Sequence, residues 1–256
     1  MPTALVTGAS SGIGADLARE LAKDGHDLVL VARRAEPMQT LANELGTKVT
    51  IITSDLSKPG AAAALAGELE SRGLAIDVLI NNAGLGATGA FDQSDPAKNS
   101  EMLQVNVTAL TELTRLLLPQ MIARRSGRIL LVASTAAFQP GPQMAVYYAS
   151  KAYVLSFGEA IAYELRGTGV TVTTLCPGPT ATNFADAAEN NKTVLFKSPL
   201  IKVMSSAEVA RIGYRALKSG RRVVVAGAAN ALVAVTARMS PHAAVLRIAN
   251  YLNSEG

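Results

Sequence analysis

The chain has 256 residues, of which 49% are hydrophobic and 17% are charged, so it has the material for one sizeable core and is not a disordered protein. A single cysteine and two histidines exclude an intrachain disulfide and a zinc site built from cysteine and histidine ligands, and we predict no metal site. The net charge is +4, but the basic residues are spread along the chain, so we predict no nucleic-acid partner.

The two longest uncharged runs do not predict membrane spans. The run at residues 129–150 is interrupted by Gln139, Pro140, Gly141, Pro142 and Gln143, and the run at residues 223–237 is too short. No secretory signal is visible at the N-terminus, because its apolar run is short and carries no preceding basic residue. We therefore expect a cytoplasmic protein with no integral membrane segment.

Short apolar runs alternate with longer stretches of helical apolar spacing along the chain. The apolar runs predict strands at residues 4–7, 27–32, 48–53, 77–81, 128–133, 170–175 and 222–226. The helical stretches predict helices at residues 13–23, 36–45, 59–72, 99–125, 146–166 and 207–218. This alternation predicts a single α/β domain over residues 1–256, with a doubly wound parallel sheet and helices on both of its faces.

A glycine-rich loop follows the first predicted strand and opens the first predicted helix. The loop reads Thr7-Gly8-Ala9-Ser10-Ser11-Gly12-Ile13-Gly14. Glycines at such a turn let the backbone approach a pyrophosphate, and the helix N-terminus favours its negative charge. The spacing Gly-x3-Gly-x-Gly differs from the common dinucleotide fingerprint Gly-x-Gly-x2-Gly. The strand-loop-helix context nevertheless favours a dinucleotide site over a simple turn.

The second predicted strand ends in Arg33 and Arg34, where an acidic residue would mark an NAD site. The planar guanidinium of Arg33 can pair with the 2′-phosphate of NADP, which a carboxylate would repel. We therefore predict NADP(H) as the preferred cofactor and NAD(H) as the alternative. Another interpretation is that the two arginines only begin a solvated loop.

Residues after the fifth predicted strand indicate chemistry at a carbonyl group. Ser134 follows this strand, and the next helix carries Tyr147, Tyr148 and Lys151. An ammonium close to a phenol favours the phenolate, so we expect the pKa of the tyrosine to fall. A serine hydroxyl can donate a hydrogen bond to a developing alkoxide. Spacing alone leaves both tyrosines as candidates, because residues three and four positions away both neighbour Lys151.

Each of these residues, taken singly, also has an ordinary structural explanation. A tyrosine can pack on an amphipathic helix, a lysine can face solvent, and a serine can cap a turn. Their occurrence together, downstream of a phosphate-binding loop, favours the catalytic interpretation.

Together these features resemble the short-chain dehydrogenase/reductase family, in a bacterial branch likened to hydroxysteroid dehydrogenases and 3-ketoacyl reductases. The resemblance covers residues 3–226 and implies a Rossmann fold. The matching motifs, in the order of the family, are Thr7-Gly8-x3-Gly12-x-Gly14, Asp55-Leu56, Asn81-Asn82-Ala83-Gly84, Asn106, Ser134, Tyr147-x3-Lys151 and Pro177-Gly178-x3-Thr182.

The resemblance implies a role for each catalytic residue. Tyr147, rather than Tyr148, would protonate the carbonyl oxygen, and Lys151 would lower its pKa and bind the nicotinamide ribose. Ser134 would orient the substrate, and Asn106 would support a water-mediated proton relay. From the residues alone, Asn106 could also be a buried polar side chain that satisfies backbone groups.

The resemblance also implies cofactor contacts at the other strand ends. Asp55 would contact the adenine, Asn82 and Gly84 would line the adenosine side, and Thr182 would lie near the nicotinamide carboxamide. The further predicted cofactor contacts are Leu56, Ala83, Pro177, Gly178 and Thr180. Some members that prefer NADP carry a basic residue just before the second loop glycine, where this chain has Ser11.

Apolar residues in the loops beyond the strands predict a pocket for a small-molecule lipophilic ketone or secondary alcohol. These residues are Phe91, Phe138, Met144, Phe184, Leu195, Phe196, Leu200 and Met204. We expect residues 184–206 to form a lid over the substrate, with packing on a neighbouring subunit as the alternative. Lysines at 192, 197 and 202 could attract the phosphate of coenzyme A or of an acyl carrier, but the better-supported interpretation is that they keep the loop soluble. The family resemblance implies 3-ketoacyl thioesters as the alternative substrates.

The tail at residues 227–256 has apolar positions that predict two short amphipathic helices, separated by Ser240-Pro241. We expect this extension to pack over the substrate cleft or across a subunit interface. A membrane-surface role is less well supported, because the charges are few. The family resemblance implies a homodimer or homotetramer, with the helices at 99–125 and 146–166 at the main interface.

The leading hypothesis is an oxidoreductase that transfers a hydride between NADP(H) and a lipophilic ketone or secondary alcohol. A second is a nucleotide-sensing regulatory or binding protein on the same fold, and a third is a peripheral membrane or scaffold protein. The complete set of Asn106, Ser134, Tyr147 and Lys151 favours the enzyme, because a sensor has no need of an acid-base pair.

Overall fold

The computed structural model describes residues 1–184, 188, 190–197 and 202–254. Its main sheet is parallel, with the strand order β3-β2-β1-β4-β5-β6-β9. The strands of this sheet are β1 Thr3–Thr7, β2 Asp27–Ala32, β3 Val49–Thr53, β4 Val78–Asn81, β5 Gly127–Val132, β6 Val170–Cys176 and β9 Val223–Val225. A small parallel pair is formed by β7 Thr180–Ala181 and β8 Met204–Ser205. The predicted Rossmann fold is confirmed.

Helices connect the strands and cover both faces of the sheet. They are α1 Gly12–Lys23, α2 Ala35–Glu44, α3 Ala61–Ser71, α4 Pro96–Leu103, α5 Leu110–Ala123, α6 Ala145–Glu164, α7 Val194–Lys197, α8 Ser206–Ser219, α9 Ala228–Met239 and α10 His242–Asn253. The seven strands and five of the six helices predicted from the sequence agree with these bounds to within two residues at each end. The last two helices occupy the tail, as its apolar pattern predicts.

The fourth predicted helix, at residues 99–125, differs from the structure at its start and in its middle. It begins earlier, at Pro96, because the Asp95 side chain accepts a hydrogen bond from the backbone N–H of Ala97 and proline suits the first helical position. A π-helical segment, Gln104–Ala109, then separates α4 from α5. Such π segments occur often at functional sites.

The core consists of two layers, one on each face of the sheet. Along β1, Ala4 and Val6 pack in one apolar cluster with Leu17 of α1 and Val209 of α8. Leu5 points to the opposite face, into the cluster that α3, α5 and α6 cover. This alternation buries the strand on both sides. Carboxyl ends of the parallel strands therefore meet along one edge of the sheet.

None of the helices in the described part of the chain is long and apolar enough to cross a bilayer.

Candidate active site

A cavity of about 550 Å³ lies at the carboxyl ends of the strands. Its wall includes Gly8, Arg33, Asn82, Ser134 and Pro177, which follow β1, β2, β4, β5 and β6 respectively. Nearly every residue predicted to bind the cofactor or to act in catalysis lies on this wall. The exceptions are Gly14 and Asn106, which are buried behind it.

The glycine loop needs its glycines for two reasons. Gly8 and Gly12 have positive φ angles, +66° and +58°, which side chains disfavour. A Cβ on Gly8 would lie 2.9 Å from the Cα of Ala83. Gly14 packs against the side chain of Asn82 and the carbonyl of Gly8, where a Cβ has no room. The loop therefore presents bare backbone to the cavity.

Two side chains fasten this loop to the end of β4. The Asn82 Nδ2 donates to the carbonyls of Thr7 and Gly8, at 3.0 and 3.2 Å. The Thr7 Oγ1 donates to the Ile80 carbonyl and accepts from the N–H groups of Asn82 and Ala83. Thr7 belongs to the matched motif, but no local pattern predicts these links, because they join residues more than 70 positions apart.

The end of the cavity near β2 and β3 carries charged groups. Ser57 donates to the Asp55 Oδ1 from its backbone N–H at 3.1 Å and from its hydroxyl at 2.8 Å. Partial burial raises the pKa of Asp55, but these bonds and the charges of Lys58 and Arg33 outweigh it, so the pKa lies below its ordinary value. Arg33 and Arg34 are exposed and lie on the wall. Asp55 thus remains a carboxylate within the electrostatic influence of the exposed Arg33 guanidinium.

The three residues predicted to act on the carbonyl group meet where β5 ends and α6 begins. Ser134 lies close enough to Tyr147 to lower the pKa of its phenol. The Ser134 Oγ donates to the Pro177 carbonyl at 3.5 Å and accepts from the Ala136 N–H at 3.1 Å. Lys151 is buried, and its Nζ donates to the Val132 carbonyl at 2.9 Å. That Nζ lies 5.8 Å from the centre of the Tyr147 ring.

Burial raises the pKa of Tyr147 to about 12 and lowers the pKa of Lys151 to about 8. The pKa of Tyr147 therefore lies above its ordinary value in this structure, and the lowering by Lys151 stays a prediction. Loss of solvation destabilises the phenolate by more than the hydrogen bond from Ser134 stabilises it. The ammonium group donates to the Val132 carbonyl and lies 5.8 Å from the centre of the Tyr147 ring.

Asn106 lies in the π-helical segment and is fully buried. Its Oδ1 accepts from the Leu85 N–H at 2.8 Å, and its Nδ2 donates to the Leu85 carbonyl at 2.9 Å and to the Ser150 Oγ at 3.0 Å. The side chain thus satisfies backbone groups, as the structural interpretation expects. It also ties the loop after β4 to α6 one residue before Lys151. Its part in a proton relay stays a prediction.

The apolar end of the cavity agrees in part with the predicted pocket. Four of the predicted residues lie on the wall, namely Met144, Phe184, Leu195 and Phe196. The centres of the Phe184 and Tyr147 rings are 5.5 Å apart. In the predicted lid, Ala187, Glu189 and Leu200 are outside the described residues.

Three residues of the predicted pocket lie elsewhere. Phe91 is 68% exposed on a short turn. Phe138 packs against the core with the Arg238 guanidinium over its ring, and Met204 is buried in the core beside α8. These predictions were wrong because position in a loop does not determine the direction of a side chain.

Other residues take their places on the wall. Leu85, Gln139 and Tyr148 come from the loops and α6 around the catalytic residues. The tail contributes Asn230, Val233, Ala234 and Leu252. The apolar spacing of the tail was the only available signal for these contacts, and it indicated packing over the cleft without identifying the residues.

The charged side chains on the described wall are Arg33, Arg34, Asp55 and Lys151. The first three lie at the β2–β3 end, and Lys151 is bound to a backbone carbonyl. The part of the cavity between Tyr147 and the tail is lined by neutral residues. One cavity therefore combines a charged end with an apolar end, and the hydroxyls of Ser134 and Tyr147 lie between them.

The family model and the similar proteins agree on one family. A sequence model described as short chain dehydrogenase matches residues 2–193. The ketoacyl reductase HetN of Nostoc is 39% identical over 179 residues, covering 69% of this chain and 62% of the relative.

Two solved structures are also similar. A short-chain dehydrogenase from Sphingobium yanoikuyae in complex with NADPH has a TM-score of 0.81 and 32% identity, and covers 93% of this chain and 94% of that one. A bulky-bulky ketone specific alcohol dehydrogenase from Comamonas testosteroni has a TM-score of 0.77 and 30% identity, with 93% and 92% coverage. The chain belongs to the short-chain dehydrogenase family and is an oxidoreductase that acts on CH–OH or C=O groups.

Proposed function

We propose that the protein reduces neutral lipophilic ketones with NADPH, or oxidises the corresponding secondary alcohols with NADP+. The observation that carries this proposal is the arrangement of the cavity, in which the hydroxyls of Ser134 and Tyr147 separate a charged end from an uncharged, largely apolar end. The similarity to an NADPH complex and to an alcohol dehydrogenase for bulky ketones supports it.

The residues at the charged end fit a nicotinamide dinucleotide. Bare backbone at Gly8 and Gly12 leaves room for a pyrophosphate at the start of α1. The Asp55 carboxylate would hold the adenine, and the exposed guanidinium of Arg33 would pair with a 2′-phosphate. Bound in this way, the cofactor supplies or accepts the hydride.

Tyr147 and Ser134 would serve the carbonyl oxygen of the ketone. A pKa of about 12 keeps the Tyr147 hydroxyl protonated at neutral pH, so it can donate its proton as the alkoxide forms. The Ser134 hydroxyl would donate a second hydrogen bond to the same oxygen. The Lys151 ammonium would stabilise the phenolate that remains.

The apolar end would hold the substituents of the ketone and keep water away from them. Phe184 and Leu195 lie on its wall and belong to residues 184–206, which we propose as the lid. A free carboxylate or phosphate would find no cationic partner on this part of the described wall. The substrate group at this end is therefore neutral.

A second candidate substrate is a 3-ketoacyl thioester. The similarity to the ketoacyl reductase HetN favours it. The side chains of Lys192, Lys197 and Lys202 are exposed on the segment that leads to β8. They could attract the phosphate of a carrier outside the cavity while the acyl chain occupies the apolar end.

We further propose a homodimer or homotetramer formed through α5 and α6. Leu116 and Ile122 on α5 and Tyr153 and Tyr163 on α6 are large apolar or aromatic side chains that are at least 37% exposed. Side chains of this kind on adjacent helices are typical of interfaces.

The test compares initial rates of NADPH and NADH oxidation over a panel of small diketones, steroid ketones and 3-ketoacyl thioesters. Tyr147→Phe removes the proton donor, so we expect kcat to fall by about 10²- to 10⁴-fold, with NADPH binding retained. Tyr163→Phe is the matched control, because this tyrosine lies on the same helix and is 61% exposed. Activity unaffected by Tyr147→Phe would contradict the catalytic assignment. Binding of NADPH without turnover of any compound would favour a nucleotide sensor.

A further inference from the structure

One buried amide ties the last helix to the catalytic helix. Asn253, at the end of α10, is 1% exposed. Its Oδ1 accepts a hydrogen bond from the Tyr148 hydroxyl at 3.2 Å, and its Nδ2 donates to the Pro142 carbonyl at 2.9 Å. Tyr148 follows Tyr147 on α6 and lies on the cavity wall. A single side chain therefore bridges α10, α6 and the loop before α6.

The last two helices, α9 and α10, form part of the apolar end of the cavity. Leu252 precedes Asn253 directly and lies on the wall, as do Val233 and Ala234 of α9. The matched family segment ends at residue 193, so these wall residues lie outside it. The tail therefore supplies cavity-wall residues from outside the matched segment.

The tail is also anchored at its two ends. The Asn230 Nδ2 donates to the Ala226 carbonyl at 2.7 Å, and this side chain fills the space next to Gly178, where a Cβ would collide with it. At the other end, the Val194 N–H donates to the Ser254 carbonyl at 3.1 Å. Between these anchors, Asn253 provides the link to the catalytic helix.

We propose that Asn253 is a positioning residue for substrate selectivity. Its two hydrogen bonds hold α10 so that Leu252 closes the apolar end of the cavity at a fixed distance from Tyr147. The ligand this wall fits is a neutral ketone whose large apolar substituent reaches Leu252, Val233 and Ala234. A small ketone does not reach them. This inference rests on the proposed function and adds the element that selects for substrate size.

The energetic basis is the cost of leaving buried polar groups without partners. In Asn253→Ala, the Tyr148 hydroxyl and the Pro142 carbonyl both lose their bond to this side chain, and the helix gains freedom to move away. Tyr148→Phe breaks one of the same two bonds from the other side. Because the variants share that bond, their effects are not additive.

The experiment measures kcat and KM of the full-length enzyme with NADPH, for a neutral steroid ketone and for a four-carbon diketone. We expect Asn253→Ala to raise the KM for the steroid about tenfold, with a much smaller change for the diketone and in the KM for NADPH. We expect Tyr148→Phe to raise the KM for the steroid as well. In the double variant, the rise in this KM should be smaller than the product of the rises in the two single variants. Asn250→Ala is the matched control, because this asparagine is exposed on the same helix. Among the described residues, its side chain makes only a long, solvent-exposed contact with the loop before α6, accepted from the Gln143 Nε2 at 3.5 Å.

A second measurement does not depend on catalysis. Hydrogen exchange of the amides at residues 242–254, in protein without ligands, is expected to be faster in Asn253→Ala and Tyr148→Phe and unchanged in Asn250→Ala. Unchanged exchange in Asn253→Ala would overturn the anchoring. Faster exchange with an unaltered ratio of the two KM values would overturn the role in selectivity.

These outcomes are separate from failure of the proposed function. If the wild type reduces no ketone, the proposed function fails, and equilibrium dialysis of the steroid ketone takes the place of KM. Equal affinity of the wild type and Asn253→Ala in that assay would overturn the inference. Weaker binding by Asn253→Ala, with Asn250→Ala unaffected, would support it.

Discussion

The two ends of the cavity are built from different kinds of sequence. The cofactor end consists of short motifs that follow individual strands, such as the loop Gly8 to Gly14 and the pair Arg33 and Arg34. The substrate end consists of single residues from distant segments, including Met144, Phe184 and Leu252. The first depends on backbone geometry and charge, and the second depends on how separate elements pack.

Substitutions at the two ends of the cavity are therefore expected to have different effects. A change at the cofactor end acts on every reaction of the enzyme, because each ketone needs the same dinucleotide. A change at the substrate end acts according to the size of the ketone. Substitutions that fail to follow this division would show that the two ends are coupled.

The largest effect is expected for Gly8→Ala. Its φ of +66° and the 2.9 Å approach of a Cβ to Ala83 should lower the free energy of unfolding by about 3 kcal/mol and displace the phosphate-binding backbone. Denaturant unfolding and NADPH titration measure the two losses.

Gly46→Ala is the control for this prediction. A Cβ there meets nothing within 4 Å among the described residues, and the φ of Gly46 is not positive. Equal stability and equal NADPH affinity of the two variants would contradict the proposed role of the loop.

Arg33→Ala tests the charged end more specifically. Loss of a charge-assisted bond to the 2′-phosphate should raise the KM for NADPH by about 10- to 100-fold, with the KM for NADH unchanged. NADH, which lacks this phosphate, is the internal control. An equal rise for both cofactors would mean that Arg33 does not recognise the phosphate.

Phe184→Ala tests the apolar end. This ring lies on the wall 5.5 Å from the Tyr147 ring, so its loss should lower kcat/KM for a steroid ketone by about tenfold. The diketone should be affected less. The control is Phe91→Ala, since this residue is 68% exposed and away from the cavity wall. Equal losses of kcat/KM for both ketones would show that Phe184 does not act through contact with the large substituent of the steroid.

The smallest effect is expected from titration of Lys151, which should lower kcat/KM for reduction about twofold by pH 8. Its pKa is lowered to about 8 by burial, so the ammonium loses its proton as the pH rises through that value. Tyr147, with a pKa of about 12, stays protonated over this range. We therefore expect kcat/KM for reduction to be level below pH 7, to fall to about half by pH 8 and to decline further above it. A profile that remains level to pH 10 would show that Lys151 keeps its charge.

Much of the fold follows from local patterns. The apolar runs and the helical spacing between them are properties of neighbouring residues, and they predicted the strands to within one residue at each end. The π-helical segment at Gln104–Ala109 was not predicted, because it differs from an α-helix by one residue in its hydrogen bonding and has no apolar period of its own.

The sequence by itself determined the doubly wound sheet, the glycine loop and the placement of Ser134, Tyr147 and Lys151, because carboxyl ends of parallel strands meet wherever the strands form. Only the tertiary structure decided which apolar residues face the cavity, that Lys151 bonds to Val132, and that Asn253 joins Tyr148. These contacts link positions from 19 to 105 residues apart. Their physical origin is side-chain packing and desolvation, which depend on the assembled core rather than on neighbours in the chain.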